Sequence, residues 1–195
     1  ARRMRPFIDA WLKVLEVFGS RVTATDILDL LNTEVVRERA GMDSSEVERI
    51  VEWLDDASIR WGLDAEHRQS EDLPGTDLNT WEFGLDRLIL GYAMPPASTQ
   101  IVADVATLDR VEGLSGATLG RLWSLISGIG QWRERIRQSR SLAEWREPLG
   151  RIARDFLETD LDDTGYQIVL DAIDKVVTRA EAGDFESPVS FAVAV

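Results

Sequence analysis

The sequence predicts an all-α fold, an irregular helical domain of about seven helices. Three observations carry that expectation. Apolar residues recur at three- and four-residue spacings along nearly the whole chain, and no stretch longer than a few residues keeps the period of two that a strand requires. Capping signatures precede several of the stripes, such as Ser45 with Glu48 and Ser141 with Glu144. Helix breakers punctuate the pattern at Gly19, Pro74-Gly75 and Pro95-Pro96.

The first helix is expected from Pro6, a good first-turn residue, to Phe18, burying Phe7, Trp11, Leu15 and Phe18 before Gly19 ends it. A short helix then starts at Thr23 or Thr25 and runs through Leu31. Ser45 and Glu48 box the start of a third, whose buried set reads Val47, Ile50, Val51, Leu54 and Trp61. The polar stretch from Asp64 to Gly75 reads as a loop with at most one helical turn. From Asn79 to Met94 the pattern is helical again, with Asn79 and Glu82 as the capping pair and Trp81, Leu85, Leu88 and Tyr92 on one face. Gly84, Leu88 and Gly91 share nearly that face. Each glycine costs about 1 kcal/mol of helix propensity, so the helix is expected to be an internal element that another backbone approaches closely.

Pro95-Pro96 closes that helix, and a connection of mixed character follows as far as Gly116. Thr118 to Arg140 is expected to be the longest helix, burying Leu119, Leu122, Ile126, Ile129 and Ile136. Ser141 and Glu144 cap the next, with a stripe of Leu142, Trp145, Leu149, Ile152 and Phe156 and a kink at Pro148. The last, Thr164 to Ala182, buries Tyr166, Val169, Leu170, Ile173 and Val177. This organisation fits one domain over 1–195, or two closely packed lobes, 1–94 and 118–195, joined by 95–117. The ends, Ala1 and the run VSFAVAV after Ser187-Pro188, read as cuts from a larger chain.

Composition excludes several classes. Acids outnumber basic residues 35 to 22, for a net charge of −13, the wrong sign for a module that holds DNA by its phosphates over a broad surface. Any nucleic-acid contact is therefore local. With no cysteine, disulfides and thiolate metal sites are absent, which permits a reducing cytoplasm. No apolar run approaches the roughly 20 residues of a membrane span, and no signal peptide leads the chain, so no membrane contact is expected.

No catalytic constellation emerges. His67 is the single histidine, set among Asp64, Glu66 and Arg68, and reads as an exposed loop residue. Gly128-Ile129-Gly130 lacks the third glycine and the preceding strand of a dinucleotide site, and neither Lys13 nor Lys175 completes a phosphate loop. Asp160, Asp162, Thr164, Gly165 and Asp171 imitate part of a calcium loop, but Thr164 stands where a carboxylate or amide belongs and Asp171 where a bidentate Glu belongs. Helix N-capping accounts for these acids better. The carboxylate pair and lysine that a metal-dependent nuclease holds on neighbouring strands are missing too.

Arginine clustering is the electrostatic feature with functional content. Between Thr118 and Phe156 stand eight arginines against four acids. Arg133, Arg137 and Arg140, at spacings of four and three, would share one face of the long helix and could meet a DNA backbone. The bland reading is i,i+4 ion pairing on a solvated helix. The seven tryptophans fall mostly on or beside the stripes and read as core.

Three segments carry a family resemblance: IRWG at Ile59 to Gly62, TWEFGLDRLILGYAM at Thr80 to Met94, and PFIDAWLKVLEVFGSRVTATDILDLLN at Pro6 to Asn32. In these the chain resembles the gamma-chain (RecC) family of exodeoxyribonuclease V, the bacterial RecBCD helicase-nuclease. Beyond Pro95 the likeness is looser, resting on Trp132, Arg133 and LAEW at Leu142 to Trp145. The resemblance implies an internal fragment of a non-catalytic, cytoplasmic subunit, within an accessory helical region like the 2B region of related helicases. It implies RecB-like and RecD-like partners that use ATP and magnesium, with no cofactor in this segment. It further implies a part in duplex unwinding, strand guidance and Chi-regulated degradation during repair of double-strand breaks by homologous recombination, with DNA met through the assembled complex. The competing expectation is a helical protein-interaction module of an unrelated family, in which the Trp81 helix docks a partner. A small helical enzyme would need a polar pocket that the sequence does not show.

Overall fold

The computed structural model describes residues 4–94, 101–102, 105–113, 115–157 and 163–195. Among them are ten helices and one minimal hairpin. The helices are α1 (Met4–Gly19), α2 (Ala24–Leu31), α3 (Glu34–Arg39), α4 (Ser44–Asp56), α5 (Ala65–Ser70), α6 (Trp81–Ala93), α7 (Ser115–Arg135), α8 (Leu142–Leu157), α9 (Asp163–Ala182) and α10 (Phe191–Ala194). Between α6 and α7, β1 (Ile101–Val102) pairs antiparallel with β2 (Val105–Ala106). The chain is thus mostly helical, as its periodicity requires. The helices beyond the expected set, α3, α5 and α10, are too short to show a period.

The helix starts are set by local chemistry. Thr23 caps α2 in a full capping box with Asp26. For α4 the box is formed by Asp43 and Glu46 rather than by Ser45 and Glu48, because the same pattern occurs twice, two residues apart. Thr80, not Asn79, caps α6 by accepting from Phe83 N, while Asn79 takes a left-handed φ of 65° just ahead of it. Ser141 and Glu144 do bond reciprocally at the head of α8. That helix runs on through Pro148.

α1 packs on α2, α3, α7, α8 and α9, and α8 lies against α9 along much of its length. Phe7, Leu15, Phe18, Leu122, Ile129, Trp145, Ile152 and Ile173 are buried in this core. Each such side chain contributes about 1.5–3 kcal/mol through the water it excludes. Several expected core positions differ. Val51 is 41% exposed, Tyr92 48% and Trp123 50%, and Trp61 lies beyond α4, half-buried in a short bridge with Thr23; Trp11, Leu142, Leu170 and Val177 are half-buried at the edge of the core. The connection before α7 is partly extended, and α7 runs from Ser115 to Arg135, starting and ending earlier than the spacing predicted. Pro95 and Pro96 lie outside the described residues, as do Asp160 and Asp162 of the calcium-like pattern.

Residues 59–62 hold the first half of the chain together. On one side Ala24 N donates to Arg60 O and Gly62 N to Arg21 O, at 2.8 and 3.0 Å. On the other, Arg60 N donates to Asn79 O, while Trp81 N and Glu82 N donate to Gly62 O and Leu63 O, each at 2.9 Å. The last two bonds satisfy backbone N–H groups that the first turn of α6 would otherwise leave without partners. The glycines of α6 complete the packing. A Cβ on Gly84 would overlap the Ile59 side chain, and one on Gly91 would run into the backbone at Leu108.

Candidate functional site

Where α5 meets the end of α7, a cleft of about 870 Å³ opens between Asp64, His67, Arg133, Glu134, Arg137 and Phe191. Its polar floor is built by α5. Asp64 caps that helix by accepting from His67 N at 2.7 Å, and the His67 side chain is buried, with an exposure of 8%. The expectation of an exposed loop histidine is therefore corrected. The acid that looked like a polar neighbour is the cap of the short helix that carries the ring.

His67 Nδ1 accepts from Leu63 N at 3.0 Å, and its Nε2 faces Arg133 Nη2 at 2.6 Å. Burial first, and the Arg133 charge second, hold the imidazole below its ordinary pKa. Arg133 also donates through Nη1 to the carbonyls of Phe18 and Ser20, at 2.5 and 2.7 Å. Glu71 stands 3.8 Å from the guanidinium and 3.9 Å from His67 Nε2. One cation thus ties the end of α1 and the first turns after it to α5 and α7.

A second cation lies behind it. Arg68 is buried with its guanidinium 4.3 Å from the Trp61 ring, and donates to Trp61 O and Thr76 O, both at 3.1 Å. Arg133 Nη1 and the two Arg68 Nη groups grip main-chain carbonyls, while Arg133 Nη2 meets the His67 ring. None meets another polar side chain in the manner of a nucleophile and its base.

The three sequence-nominated arginines are not a row on one helical face, because α7 ends at Arg135. Arg133 points into the fold. Arg140 folds back over the helix end, donating to the carbonyls of Arg135 and Gln138 at 2.9 and 3.0 Å, with its guanidinium 4.9 Å from the Trp145 ring. Arg137 alone of the three stands exposed, 3.1 Å from Glu134. His67 and Glu71 were the partners missed. Asp64 three residues before His67, at the head of a short helix, was the available signal.

Among the described residues no cluster of three acids or histidines could hold a metal ion, and no helix is long and apolar enough to cross a membrane. Fold and site together define a class: a mostly helical protein whose polar cluster braces backbone. Comparison then gives the family. Residues 4–195 match the model of the fourth domain of RecBCD enzyme subunit RecC, and the chain belongs to that family. It is 34% identical over 145 residues to the RecBCD enzyme subunit RecC of Escherichia coli (strain K12), covering 74% of this chain and 13% of that protein. The RecC subunit of Haemophilus influenzae is 31% identical over 155 residues, 80% of this chain and 13% of its own length. That of Mycolicibacterium smegmatis is 31% identical over 144 residues, 74% and 13% respectively. The chain spans about an eighth of the length of these relatives.

Proposed function

We propose that this chain acts as a non-catalytic helical scaffold within a RecC-type subunit of exodeoxyribonuclease V, in the accessory region analogous to the 2B region of helicases. In this reading it shapes subunit contacts and a wall of the strand channel, in a cytoplasmic complex with RecB-like and RecD-like partners. Those partners supply the ATP- and magnesium-dependent chemistry. The complex unwinds duplex DNA and degrades it under Chi control in double-strand break repair. The observation that carries the reading is the family match over residues 4–195. The buried cluster supports it, since Arg133 and Arg68 are spent on main-chain carbonyls and His67 on the Leu63 N–H and Arg133. The family match also removes the alternative of an unrelated helical module.

Of the three arginines first nominated for a DNA strand, Arg137 leads, because its guanidinium is exposed and its ion pair with Glu134 is a weak surface one. Arg140 contributes from beside it, and Arg133 contributes only through the geometry it fixes. The test is DNA binding by the assembled complex across a salt titration. Arg137→Glu is expected to weaken binding and to lower the log–log salt slope by about 0.7 for each single-strand phosphate no longer neutralised. An unchanged slope and affinity would reject the strand contact. A wild-type chain that joins no complex with motor and nuclease subunits would reject the scaffold reading as a whole.

A further inference from the structure

The outer face of α7 is unusually bare. Ala117, Gly120, Ser124 and Gly128 follow one another at helical spacing along the floor of a trough of about 650 Å³. The trough continues to Arg135, and the α7 face from 117 to 135 is about 27 Å long at 1.5 Å per residue. Its walls are α3 and α8, through Val36, Arg39 and Phe156.

The chain's own packing does not call for these glycines. A Cβ on Gly120 would find nothing within 4 Å, and one on Gly128 would make only an ordinary contact with Phe156 at 3.6 Å. The contrast with Gly84 and Gly91, where a Cβ collides, is direct. Small residues here keep space open for something outside the fold.

Charge says what that something carries. Arg39, Arg121 and Arg135 line the trough of a chain whose net charge is −13. Arg121 is paired with Glu46 at 2.7 Å. Among the described residues Arg39 and Arg135 have no carboxylate within ion-pair distance; Arg39 reaches the Arg154 carbonyl, and Arg135 lies 5.1 Å from the Trp132 ring. Asp155, the acid in the lining, already accepts from Trp132 Nε1 at 2.9 Å. Arg121 and Arg135 are about 21 Å apart along the helix axis, with Arg39 on the facing wall.

We propose that this trough docks an acidic α-helix of a partner subunit, laid along α7 with its backbone against Gly120, Ser124 and Gly128 and its carboxylates on Arg39 and Arg135. A helix is favoured over a nucleic-acid strand by the floor. Small residues at i,i+4 spacing let two helix backbones approach closely, whereas a phosphate strand needs a continuous row of cations rather than one at an end and one on a wall. The proposal rests on the scaffold reading above.

The test uses the assembled complex, with a photo-crosslinking amino acid at Ser124 and, separately, the Gly120→Leu substitution. The crosslink is expected to map to an acidic helix of a partner subunit. Gly120→Leu is expected to weaken retention of that subunit by about tenfold or more, as disruption at the centre of an interface does. Its melting temperature should be no lower than that of wild type, because leucine has the higher helix propensity and meets open space. A crosslink to DNA, to the same polypeptide or to nothing overturns the proposal, as does partner retention within about twofold of wild type. Should the wild-type chain recruit no partner subunit at all, the scaffold reading falls and this surface with it; a complex that forms and crosslinks elsewhere removes this surface alone.

Discussion

Trp81 donates its indole N–H to the carbonyl of Val22 at 2.8 Å, with both residues fully buried. Val22 holds a φ of 51°, a conformation in which a β-branched residue is strained by about 1–3 kcal/mol. The bond fixes the turn after α1 against the start of α6, with residues 59–62 threaded alongside. Trp81→Phe keeps most of the ring's bulk but leaves the Val22 carbonyl buried without this donor. It is expected to destabilise by about 1–3 kcal/mol, read as a lower urea midpoint at an unchanged slope. A midpoint equal to wild type would mean that water or a shifted backbone satisfies the carbonyl.

The glycines separate into two kinds that substitution by alanine distinguishes. Gly84→Ala gains about 1 kcal/mol of helix propensity but forces a methyl into Ile59, an overpacking cost of about 1–3 kcal/mol, so net destabilisation is expected. Gly91→Ala is expected to cost more, since the obstacle is the main chain at Leu108. Gly120→Ala meets open space and is expected to stabilise by up to about 1 kcal/mol. Thermal melts of the three variants check the ordering. Equal shifts in all three would show that contact geometry is not what sets them apart.

The sequence announced those α6 glycines, because periodicity set them on the face of Leu88 while their helix cost marked them as purposeful. Long amphipathic stripes such as Leu119, Leu122, Ile126 and Ile129 were readable for the same reason: a period needs several turns to show. Short elements gave no such signal. α3 buries Val36 alone, and the end of α7 carries neither Gly nor Pro, so the pattern seemed to continue to Arg140. The site was least legible. Three arginines look alike in one dimension, and only the third dimension shows that Arg133 meets the carbonyls of Phe18 and Ser20, more than 110 residues earlier in the chain.

His67 makes stability pH-dependent in a defined direction. Its folded pKa lies below the ordinary 6.5, through burial and then the Arg133 charge, with Glu71 and Asp64 pulling the other way and Arg68 adding to the depression. As pH falls below 6.5 the unfolded chain takes up the proton first. Stability is therefore complete above that value, declines as pH drops towards the folded pKa, and levels off below it. Glu82 and Asp86 act oppositely: burial raises both, so each favours the folded state at low pH and loses that contribution as pH rises from its ordinary value, 4.5 or 3.8, through its raised folded value. Urea unfolding at about pH 7.5 and about pH 5.5 is expected to show the decline in wild type and to lose most of it in His67→Asn. An equal decline in the variant would assign the titration to other groups.

Alanine at Arg133, Arg137 and Arg140 is expected to give three different stabilities. Arg133→Ala removes the donor to two carbonyls and the partner of a buried histidine, and is expected to be the costliest of the three, at about 1–3 kcal/mol for each buried acceptor left without a donor. Arg140→Ala loses two bonds that close α7 and the stacking on Trp145, about 1–2 kcal/mol. Arg140→Lys is expected to recover little of that, because an ammonium has no planar fork to span two carbonyls and lie over a ring. Arg137→Ala gives up an exposed pair with Glu134 and is expected to change stability by less than about 0.5 kcal/mol. Denaturant midpoints for the four variants measure the order. If Arg137→Ala proves as damaging as Arg133→Ala, Arg137 is structural as well, and weaker DNA binding after its charge reversal could no longer be read as the removal of a cation from the strand.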